Sequence, residues 1–537
     1  MLPVIFQLCS VKHLIMIIKM LLLIFARASL QASTPSSTTY EAGVVEFNYG
    51  SLVNMTSQQM LDVNLKQYIE FMNDASSSLD IIVFPEGTLN TILTATEILE
   101  SEDEIAPCIN PNYVNNNLLK LISCSAQEHN RYVVINVITK AKCPDTEMIL
   151  NDDPRNCDDT RDGFSYYNTN IVFNRVGVII SSYRKYHLFG ERLDKPHKPA
   201  LVTFDTDFGV TFGHFICFDM HFRYPAVELV RAHKVTDIIF TSKWFSELPF
   251  LTAVQVQQYW AHSLDVNLLA AGANFPRVAS TGSGIYGGNK GTYIAEMSPI
   301  NKSKLYTAKV HKKILQNEAI KIEHKLTRYT KDEMKSLDIW RDQLDVYDIQ
   351  FLNDTDGLYF ITKNICNNTL CCDIKVNYTI KNSATKPHYQ YAIAFYFGNR
   401  TFSGIVETGV AACAIIGCPR RDIASCGTRD ESLENIHEWN LIEMNGEFPM
   451  RNDQYFYMPS TLDDNILPLQ PELFEYNVVS GRKDGINVVM KLNKDVDNLL
   501  TFGIWGRDFS DESDKASGSA CILVLVVVCV LVLLRLM

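Results

Sequence analysis

Three side chains with complementary chemistry each follow a short apolar segment of this 537-residue chain. Glu86 follows the run Ile-Ile-Val-Phe-Pro, Lys185 follows Val-Ile-Ile-Ser-Ser-Tyr-Arg, and Cys217 follows Gly-His-Phe-Ile. Such runs indicate buried strands, and ligand sites of α/β sheets form at the carboxyl ends of their strands. We therefore expect Glu86, Lys185 and Cys217 to meet at the end of one sheet.

These three groups have the properties that hydrolysis of an amide requires. A cysteine thiol has a pKa near 8.5, and a neighbouring ammonium lowers this pKa toward the working pH. Glu86 would take the thiol proton, and Lys185 would stabilise the oxyanion, an effect worth roughly 3–4 kcal/mol. The acyl group would pass through a thioester on Cys217, which water then hydrolyses. Taken singly, each residue also has an ordinary structural explanation: a core cysteine, a carboxylate that begins a helix, or a solvated lysine.

The cysteine count predicts one unpaired thiol. Of the 14 cysteines, Cys9, Cys521 and Cys529 lie in terminal apolar segments, which leaves 11 in the rest of the chain. An odd number implies a free thiol, and we predict that it belongs to Cys217. No metal site is expected, because a secreted chain without a Cys-x-x-Cys pair favours disulfides over zinc. The other ten are disulfide candidates: the local pairs Cys108 with Cys124 and Cys143 with Cys157, and the group Cys366, Cys371, Cys372, Cys413, Cys418 and Cys426.

Short apolar strands alternate with helical patterns between about residues 42 and 310. This alternation indicates an α/β domain, in which helices cover the strands. The predicted helices span residues 60–73, 114–128, 225–233 and 254–263. The predicted strands span 44–47, 81–84, 132–138, 171–173, 178–180, 211–216, 238–240 and 267–273.

The remainder of the chain has a different character. The stretch 316–350 is rich in charged residues, which indicates a linker or a bridging helix. From 351 to 508, aromatic and β-branched runs are separated by Gly, Asn and Asp, which predicts a mostly β, disulfide-rich second domain. The predicted strands there include 358–361, 391–397, 488–492 and 499–505. The formal charge of −12 excludes nucleic acid as a partner, because phosphate binding needs a concentrated basic surface.

Both ends of the chain have the features of processing signals. Residues 1–28 combine basic residues, a short apolar run and the small-x-small pattern Ala-Arg-Ala, so we predict a signal peptide. Residues 509–537 combine a polar spacer with an apolar run that is short for a hydrocarbon core of about 30 Å. This combination predicts attachment of a glycosylphosphatidylinositol (GPI) anchor within 510–519, with a single transmembrane helix as the alternative.

A secretory signal implies oxidising, extracellular surroundings, which suit the cysteine content. The predicted location is therefore the extracellular face of the cell membrane, where a GPI anchor holds a protein that acts on a small-molecule amide. The Asn-x-Ser/Thr sequons become candidate N-glycosylation sites on this surface: Asn54, Asn301, Asn353, Asn367, Asn377 and Asn399.

Three motifs, in this order, resemble the Glu–Lys–Cys motifs of the nitrilase superfamily: Phe-Pro-Glu86-Gly, Tyr-Arg-Lys185-Tyr-His-Leu-Phe and Phe-Ile-Cys217-Phe-Asp. The run from Cys217 through Met-His-Phe-Arg-Tyr-Pro-Ala-Val is similar to the vanin and biotinidase branch. So are Thr-Gly-Ser-Gly-Ile-Tyr at 281–286 and the loop that ends in Tyr-Asn-Thr at 167–169.

This resemblance implies a nitrilase-like four-layer αββα catalytic domain at 40–315, followed by a mostly β base domain, with no metal and no cofactor. It implies that Glu86 is the proton acceptor, Lys185 the proton donor and oxyanion stabiliser, and Cys217 the nucleophile. It also implies hydrolysis of pantetheine to pantothenate and cysteamine, or alternatively of biotin amides. Many nitrilase relatives use a second glutamate near the lysine, for which Glu191 is the candidate here.

Two other function classes are alternatives. A catalytically silent surface glycoprotein would act through adhesion or signalling, but the complete set of Glu86, Lys185 and Cys217 argues against it. A cysteine protease would need a histidine base, for which His214 and His221 are close in sequence. No papain-like or caspase-like motif surrounds these histidines.

Overall fold

The computed structural model describes residues 32–49, 54–99, 105–143, 162–313, 321–367, 370–449, 454–480 and 485–510. The predicted signal peptide, nearly all of the predicted GPI signal, and Cys157 lie outside these ranges. Within them, no helix has both the length and the apolar character needed to cross a membrane.

The catalytic half of the chain contains the longer helices and two sheets. The α-helices in the described ranges are α1 (Ser57–Asp74), α2 (Asn117–Glu128), α3 (Glu228–Arg231), α4 (Ala253–Leu264) and α5 (Lys331–Met334). The strands up to residue 326 are β1 (Thr39–Glu46), β2 (Ile81–Val83), β3 (Tyr132–Lys142), β4 (Phe164–Phe173), β5 (Ile179–Arg184), β6 (Thr203–Asp205), β7 (Thr211–Ile216), β8 (Asp237–Ser242), β9 (Glu247–Leu248), β10 (Asn267–Gly272), β11 (Ser283–Gly287), β12 (Thr292–Glu296), β13 (Lys304–His311) and β14 (Lys325–Leu326).

Helix α1 illustrates how the sequence defines these elements. Thr56 caps its first turn, because the Thr56 hydroxyl accepts from the backbone N–H of Gln59 while the Gln59 side chain accepts from the backbone N–H of Thr56. Leu61, Leu65 and Met72 lie on its buried face, at the spacing of successive helical turns. Capping and periodicity therefore agree, and the helix begins three residues before the predicted position.

Two sheets pack face to face in this half. One has six strands in the order β13-β1-β2-β3-β4-β5, and the other has seven in the order β14-β12-β11-β10-β8-β7-β6. Strands β1, β2 and β3 are parallel neighbours, as are β7, β8 and β10. Parallel neighbours need crossover connections, and α1, α2, α3 and α4 lie in those connections.

Alternate residues of each strand face opposite layers. Val44 and Val83 of the six-stranded sheet lie in one apolar layer with Leu269 of the seven-stranded sheet. Their sequence neighbours Val45 and Ile82 pack with α1 and α2 on the outer face. Helix α4 covers the outer face of the other sheet. The order helix, sheet, sheet, helix confirms the predicted αββα architecture.

The charged stretch 316–350 does not form a bridging helix in its described part. It contains only the four-residue helix α5, and its strand β15 (Trp340–Arg341) pairs with β9 of the catalytic half. Beyond it, two antiparallel five-stranded sheets have the orders β16-β19-β20-β25-β22 and β17-β18-β21-β24-β23, which confirms the predicted sheet-rich character. Their strands are β16 (Asp348–Phe351), β17 (Gly357–Asn367), β18 (Leu370–Ile380), β19 (Gln390–Phe402), β20 (Val406–Cys418), β21 (His437–Pro449), β22 (Tyr455–Asp463), β23 (Phe474–Ser480), β24 (Gly485–Leu492) and β25 (Leu499–Asp508).

The two halves share one continuous core across α4. The side chain of Gln255 donates to Ser460 Oγ at 3.0 Å, and that of Gln258 donates to the carbonyl of Leu469 at 2.7 Å. Both glutamines are buried, because α4 has the catalytic sheet on one side and β22 on the other. The C-terminal sheets therefore complete the packing of the catalytic half.

Disulfides stabilise the C-terminal sheets in particular. Cys372 of β18 is joined to Cys413 of β20, which links the two sheets to each other. Cys143 is also disulfide-bonded, and its pairing with Cys157 stays a prediction because Cys157 is not described. Cys217 is the free cysteine of the described residues, and it is buried. The other disulfides join Cys108 to Cys124, Cys366 to Cys371 and Cys418 to Cys426.

The candidate glycosylation asparagines differ in exposure. Five of the six lie exposed at the surface, whereas Asn377 is half-buried in β18. Its Oδ1 atom is shielded from solvent. Glycosylation at the five exposed positions stays a prediction, whereas the half-buried Asn377 is the least accessible of the six, and its burial argues against a glycan there.

Candidate active site

Strand ends from both sheets meet at one site. Glu86 follows β2 and Lys185 follows β5 of the six-stranded sheet, whereas Cys217 follows β7 of the seven-stranded sheet. The expectation that one sheet carries all three residues is therefore wrong. Apolar runs show where strands end but not which sheet they join, and here two sheets stack with their carboxyl ends at the same edge.

Glu86 is held by a tight turn after β2. Gly87 has a φ of +64°, a conformation that glycine adopts without steric cost. The backbone N–H of Gly87 donates to Asn136 Oδ1 at 2.9 Å, which ties the turn to β3. Both the turn and the neighbouring strand thus fix the carboxylate, which is buried.

Lys185 is buried at the end of β5, and its ammonium is surrounded by carboxylates. Its backbone N–H donates to the carbonyl of Asn168 at 2.8 Å. Its Nζ donates to Glu86 Oε1 at 2.8 Å and also to Glu191 Oε1. The side chain is only 1% exposed, so these carboxylates rather than water balance its charge.

Cys217 occupies a strained turn immediately after β7. Its φ of +48° is left-handed, which costs a non-glycine residue on the order of 1–3 kcal/mol. Asp219 stabilises the turn, because its carboxylate accepts from the backbone N–H of Ile216 at 3.2 Å and from the Tyr183 hydroxyl at 2.9 Å. The thiol interacts with the Glu86 carboxylate as its hydrogen-bond acceptor.

Glu86 accepts two further hydrogen bonds that fix its orientation. Asn168 Nδ2 donates to Glu86 Oε1 at 2.7 Å, and the backbone N–H of Lys243 donates to Oε2 at 2.8 Å. Asn136 Nδ2 donates in turn to Asn168 Oδ1 at 2.7 Å, which sets the direction of the Asn168 amide. Asn168 Nδ2 also lies 3.4 Å from Glu191 Oε1. The structure thus places Glu191 beside Lys185, as the candidate second glutamate should be.

Glu86 and Lys185 stabilise each other in their charged forms. Burial raises the pKa of Glu86, but the charge of Lys185 and the hydrogen bonds from Lys185 and Lys243 outweigh burial and hold this pKa below its usual value. Burial lowers the pKa of Lys185, but Glu191 and Glu86 hold it well above its usual value. Glu86 is therefore ionised and Lys185 charged at neutral pH.

The pKa of the Cys217 thiol contradicts the expectation from sequence. Burial and the negative charge of Glu86 raise this pKa well above its usual value, and the charge of Lys185 only partly offsets them. The expected depression by an ammonium fails because burial of the thiol, together with the nearby Glu86 carboxylate, outweighs the charge of Lys185. The thiol of Cys217 is accordingly neutral beside the ionised carboxylate of Glu86.

An apolar pocket opens onto Cys217. Most of its lining is aromatic or aliphatic, and Phe402 of β19 contributes part of the wall from the C-terminal sheets. Such a pocket suits a small organic molecule, with a few polar groups to orient it. Its lining residues are Phe189, Cys217, Phe218, His221, Lys243, Trp244, Phe245, Glu247, Leu251 and Phe402.

Neither histidine considered as a protease base has that role. His214 Nε2 lies 2.9 Å from Ser181 Oγ inside the core, where burial lowers the pKa of His214 to about 3. His221 lines the pocket, but burial and the charges of Arg507 and Arg400 lower its pKa well below the usual value. In the described part of the chain, no cluster of three or more His, Cys, Asp or Glu residues is arranged to hold a metal ion.

Sequence reasoning missed three of the groups that organise the site. Asn168 has a visible signal, since it is a polar residue inside the apolar strand β4. Asp219 lies in the Cys-Phe-Asp motif, but nothing in that motif indicates that its carboxylate stabilises the turn. Lys243 contributes a backbone N–H, which leaves no signal in side-chain patterns.

Comparisons with known proteins agree with this site. Residues 51–288 match the carbon-nitrogen hydrolase family, and residues 338–512 match the vanin C-terminal domain. Vanin-like protein 1 of Drosophila melanogaster is 35% identical over 91% of this chain and 89% of its own length. A pantetheinase of Sus scrofa is 29% identical over 84% of this chain and 83% of its own. A biotinidase of Takifugu rubripes is 28% identical over 90% of this chain and 97% of its own length.

The two family matches follow one another along the chain in the same order as its two structural halves. The similarity to the Drosophila protein extends across both halves rather than the catalytic one alone. The chain therefore belongs to the vanin-like members of the carbon–nitrogen hydrolase family and is a hydrolase of amide C–N bonds.

Proposed function

We propose that the chain hydrolyses a linear amide through a thioester on Cys217. One observation carries the proposal: the Glu86 carboxylate contacts both the Lys185 ammonium, at 2.8 Å, and the Cys217 thiol beside an apolar pocket. The candidate general base thus lies between the candidate nucleophile and a fixed positive charge. This is the set that acyl transfer requires.

The reaction has two halves. In the first, Glu86 takes the thiol proton while Cys217 Sγ attacks the carbonyl carbon, and Lys185 stabilises the resulting oxyanion. Glu86 then returns the proton to the amide nitrogen, so that the C–N bond breaks and the amine leaves. In the second half, Glu86 deprotonates a water molecule that attacks the thioester. The proton then passes to sulfur as the carboxylic acid leaves.

We assign Glu191 and Asn168 to positioning. Glu191 and Glu86 approach the same ammonium, which restrains Lys185 at the place where the oxyanion forms. Asn168 donates to Glu86, which keeps the carboxylate turned toward the ammonium. Neither residue would exchange a proton with the substrate in this scheme.

Pantetheine is the substrate we propose, with pantothenate and cysteamine as products. The pantetheinase relatives support this assignment. Biotin amides are the second candidate, which the biotinidase relatives favour to a similar degree. We further propose that the enzyme acts at the extracellular face of the membrane and is held there by a GPI anchor.

The decisive experiment measures amine release from pantetheine and from biocytin by the chain expressed through a secretory pathway. Cys217→Ala should abolish turnover of either substrate, while its unfolding midpoint and secretion stay close to wild type. Normal turnover by Cys217→Ala would refute the thioester mechanism. A folded wild-type protein that cleaves neither amide would support the silent glycoprotein instead.

The anchor has its own test. Phosphatidylinositol-specific phospholipase should release the activity from intact cells into the medium. A transmembrane helix would resist this treatment, so retention of the protein on the cells would refute the GPI anchor.

A further inference from the structure

A buried carboxylate that the proposed reaction does not use lines the same pocket as Cys217. Glu247 belongs to the two-residue strand β9, and its side chain is 11% exposed. Among the described residues that line the pocket, Glu247 is the one with a carboxylate, and most of the others are apolar. A buried carboxylate in such surroundings is costly unless it is paired. Its partners therefore indicate what it does.

One of the two carboxylate oxygens of Glu247 is firmly held. Arg400 Nη2 donates to Glu247 Oε2 at 2.6 Å and lies 3.0 Å from Asp342 Oδ1. Arg400 comes from β19 of the C-terminal sheets, and its guanidinium lies 4.2 Å from the centre of the Phe402 ring, which forms part of the pocket wall. Arg400 thus fixes the carboxylate of Glu247 and also packs against another lining residue.

The other oxygen of Glu247 is free to accept a hydrogen bond. Within the described residues, the only side-chain hydrogen bond of Glu247 is the one from Arg400 to Oε2. Oε1 is not among the atoms that are both fully buried and unpartnered. A fixed, partly accessible acceptor on the wall of an apolar pocket has the arrangement that gives orientation and specificity to a ligand.

The charge of the cluster restricts the ligand further. Glu247 and Asp342 share the single guanidinium of Arg400, so the ionised cluster carries one net negative charge. A substrate group that donates a hydrogen bond would be attracted to it, and a carboxylate would be repelled at low dielectric. Cations also flank the pocket, because the amine of Lys243 lies over the rings of Tyr49 and Phe275 and the guanidinium of Arg507 lies 5.9 Å from the centre of the Phe402 ring. The repulsion of a carboxylate therefore rests on its closeness to Glu247 rather than on the net charge of the pocket.

We propose that Glu247 is a specificity-determining residue that accepts a hydrogen bond from a hydroxyl or amide N–H on the pocket-bound arm of the substrate. This inference rests on the proposed amide hydrolysis and names the substrate class more narrowly. The substrates it selects are amides with an uncharged, donor-bearing arm. Amides whose arm carries a carboxylate are disfavoured.

The test compares three reporter amides that share one leaving amine. Their acyl arms carry a hydroxyl, a hydrogen in its place, or a carboxylate. A hydrogen bond to a charged acceptor predicts that wild-type enzyme prefers the hydroxyl arm over the deoxygenated arm by roughly 10–100-fold in kcat/KM. Glu247→Leu removes the acceptor and should reduce this ratio to near one, chiefly by raising KM for the hydroxyl arm.

Two further variants separate recognition from structure. Asp342→Asn alters the same Arg400 cluster without touching the pocket lining, so it should keep the wild-type preference. Glu247→Gln retains the shape and loses the charge, so it should accept the carboxylate arm better than wild type does. It also serves as the test if Glu247→Leu does not fold.

Several outcomes would overturn the inference. These are a wild-type enzyme without a preference, a Leu variant that loses the same factor on both uncharged arms, or an Asp342→Asn variant that loses the preference as fully as the Leu variant does. A wild-type enzyme that cleaves none of the three amides would instead refute the proposed function, which keeps the two failures apart.

Discussion

Replacing Glu191 by glutamine should change two measurable rates in opposite directions. Glu191 accepts a hydrogen bond from Lys185 through Oε1 and from the backbone N–H of Phe189 through Oε2. Its side chain is 25% exposed, so glutamine fits the same space, but its single amide oxygen can accept from only one of these two donors. The substitution therefore removes a charge from the site and leaves the packing intact.

The first rate is turnover, which should fall. Lys185 keeps its contact with Glu86 at 2.8 Å but loses the second carboxylate that restrains it. A hydrogen bond between charged groups is worth about 1.5–3 kcal/mol, so kcat should fall by roughly 10–100-fold. KM should change little, because Glu191 is not among the lining residues of the pocket.

The second rate is alkylation of the thiol, which should rise. The negative charge of Glu191 is one of the influences that raise the pKa of Cys217, after burial, Glu86 and the opposing effect of Lys185. Removing this charge lowers the pKa, so that more thiolate is present at a given pH. Iodoacetamide reacts with the thiolate, and its second-order rate constant with Cys217 should increase.

Both rates can be measured on the same preparation, with Glu70→Gln as the matched control. Glu70 forms an exposed ion pair with Lys66 on α1, so its replacement makes the same chemical change away from the site. The control should leave both rates at wild-type values. If turnover and alkylation of Glu191→Gln both fall, or if neither changes by more than about twofold, Glu191 does not act through Lys185 and the thiol.

Three other predictions follow from buried or covalent features. Burial raises the pKa of Asp219 to about 7, so its contribution to stability is complete below its unfolded value near 4 and is lost as the pH rises through 7. Urea unfolding should therefore show that, as the pH rises from 5 to 8, the free energy of unfolding falls less for Asp219→Asn than for the wild type. Replacing Cys372 and Cys413 by serine opens a link across 41 residues and should cost about 4 kcal/mol of unfolding free energy under the loop-entropy model. Because Asn377 is half-buried, Asn377→Gln should leave the mass of the secreted glycoprotein unchanged apart from the residue itself, as mass spectrometry can check.

Helices and strands were predictable where burial imposes a clear pattern of apolar residues on the sequence. Strand β7 was predicted to the residue, and α4 to within one residue at each end, because continuous apolar runs and helical spacing reflect local burial. The predicted helix at 225–233 is shorter in the structure, with α3 at Glu228–Arg231 after a wider turn. Strand β20 was not predicted, because its many small residues, Ala, Gly and Cys, resemble neither an alternating nor an aromatic strand.

The sequence suggested which residues would come together at the site, but it did not predict their pKa values. Residue types at strand ends suggested Glu86, Lys185 and Cys217, the motifs around them were needed to select them, and the cysteine count singled out the free thiol. Whether the pKa of the Cys217 thiol is raised or lowered depends on distances that no sequence gives. One example is how closely Glu86 and Glu191 approach the ammonium of Lys185. The contribution of Phe402 to the pocket likewise depends on how the C-terminal sheets dock on α4.

The raised pKa of the thiol connects the resting state to the type of bond the enzyme breaks. In the proposed reaction, the proton that the thiol loses is the proton that the leaving nitrogen gains. Under the proposed mechanism, the neutral Cys217 passes its proton to Glu86 as it attacks, and the same carboxyl then protonates the departing nitrogen. An amide needs that proton, because an unprotonated amine anion is a poor leaving group. Burial and the Glu86 carboxylate keep the thiol protonated, and in the proposed mechanism they thereby couple nucleophilic attack to the departure of an amine.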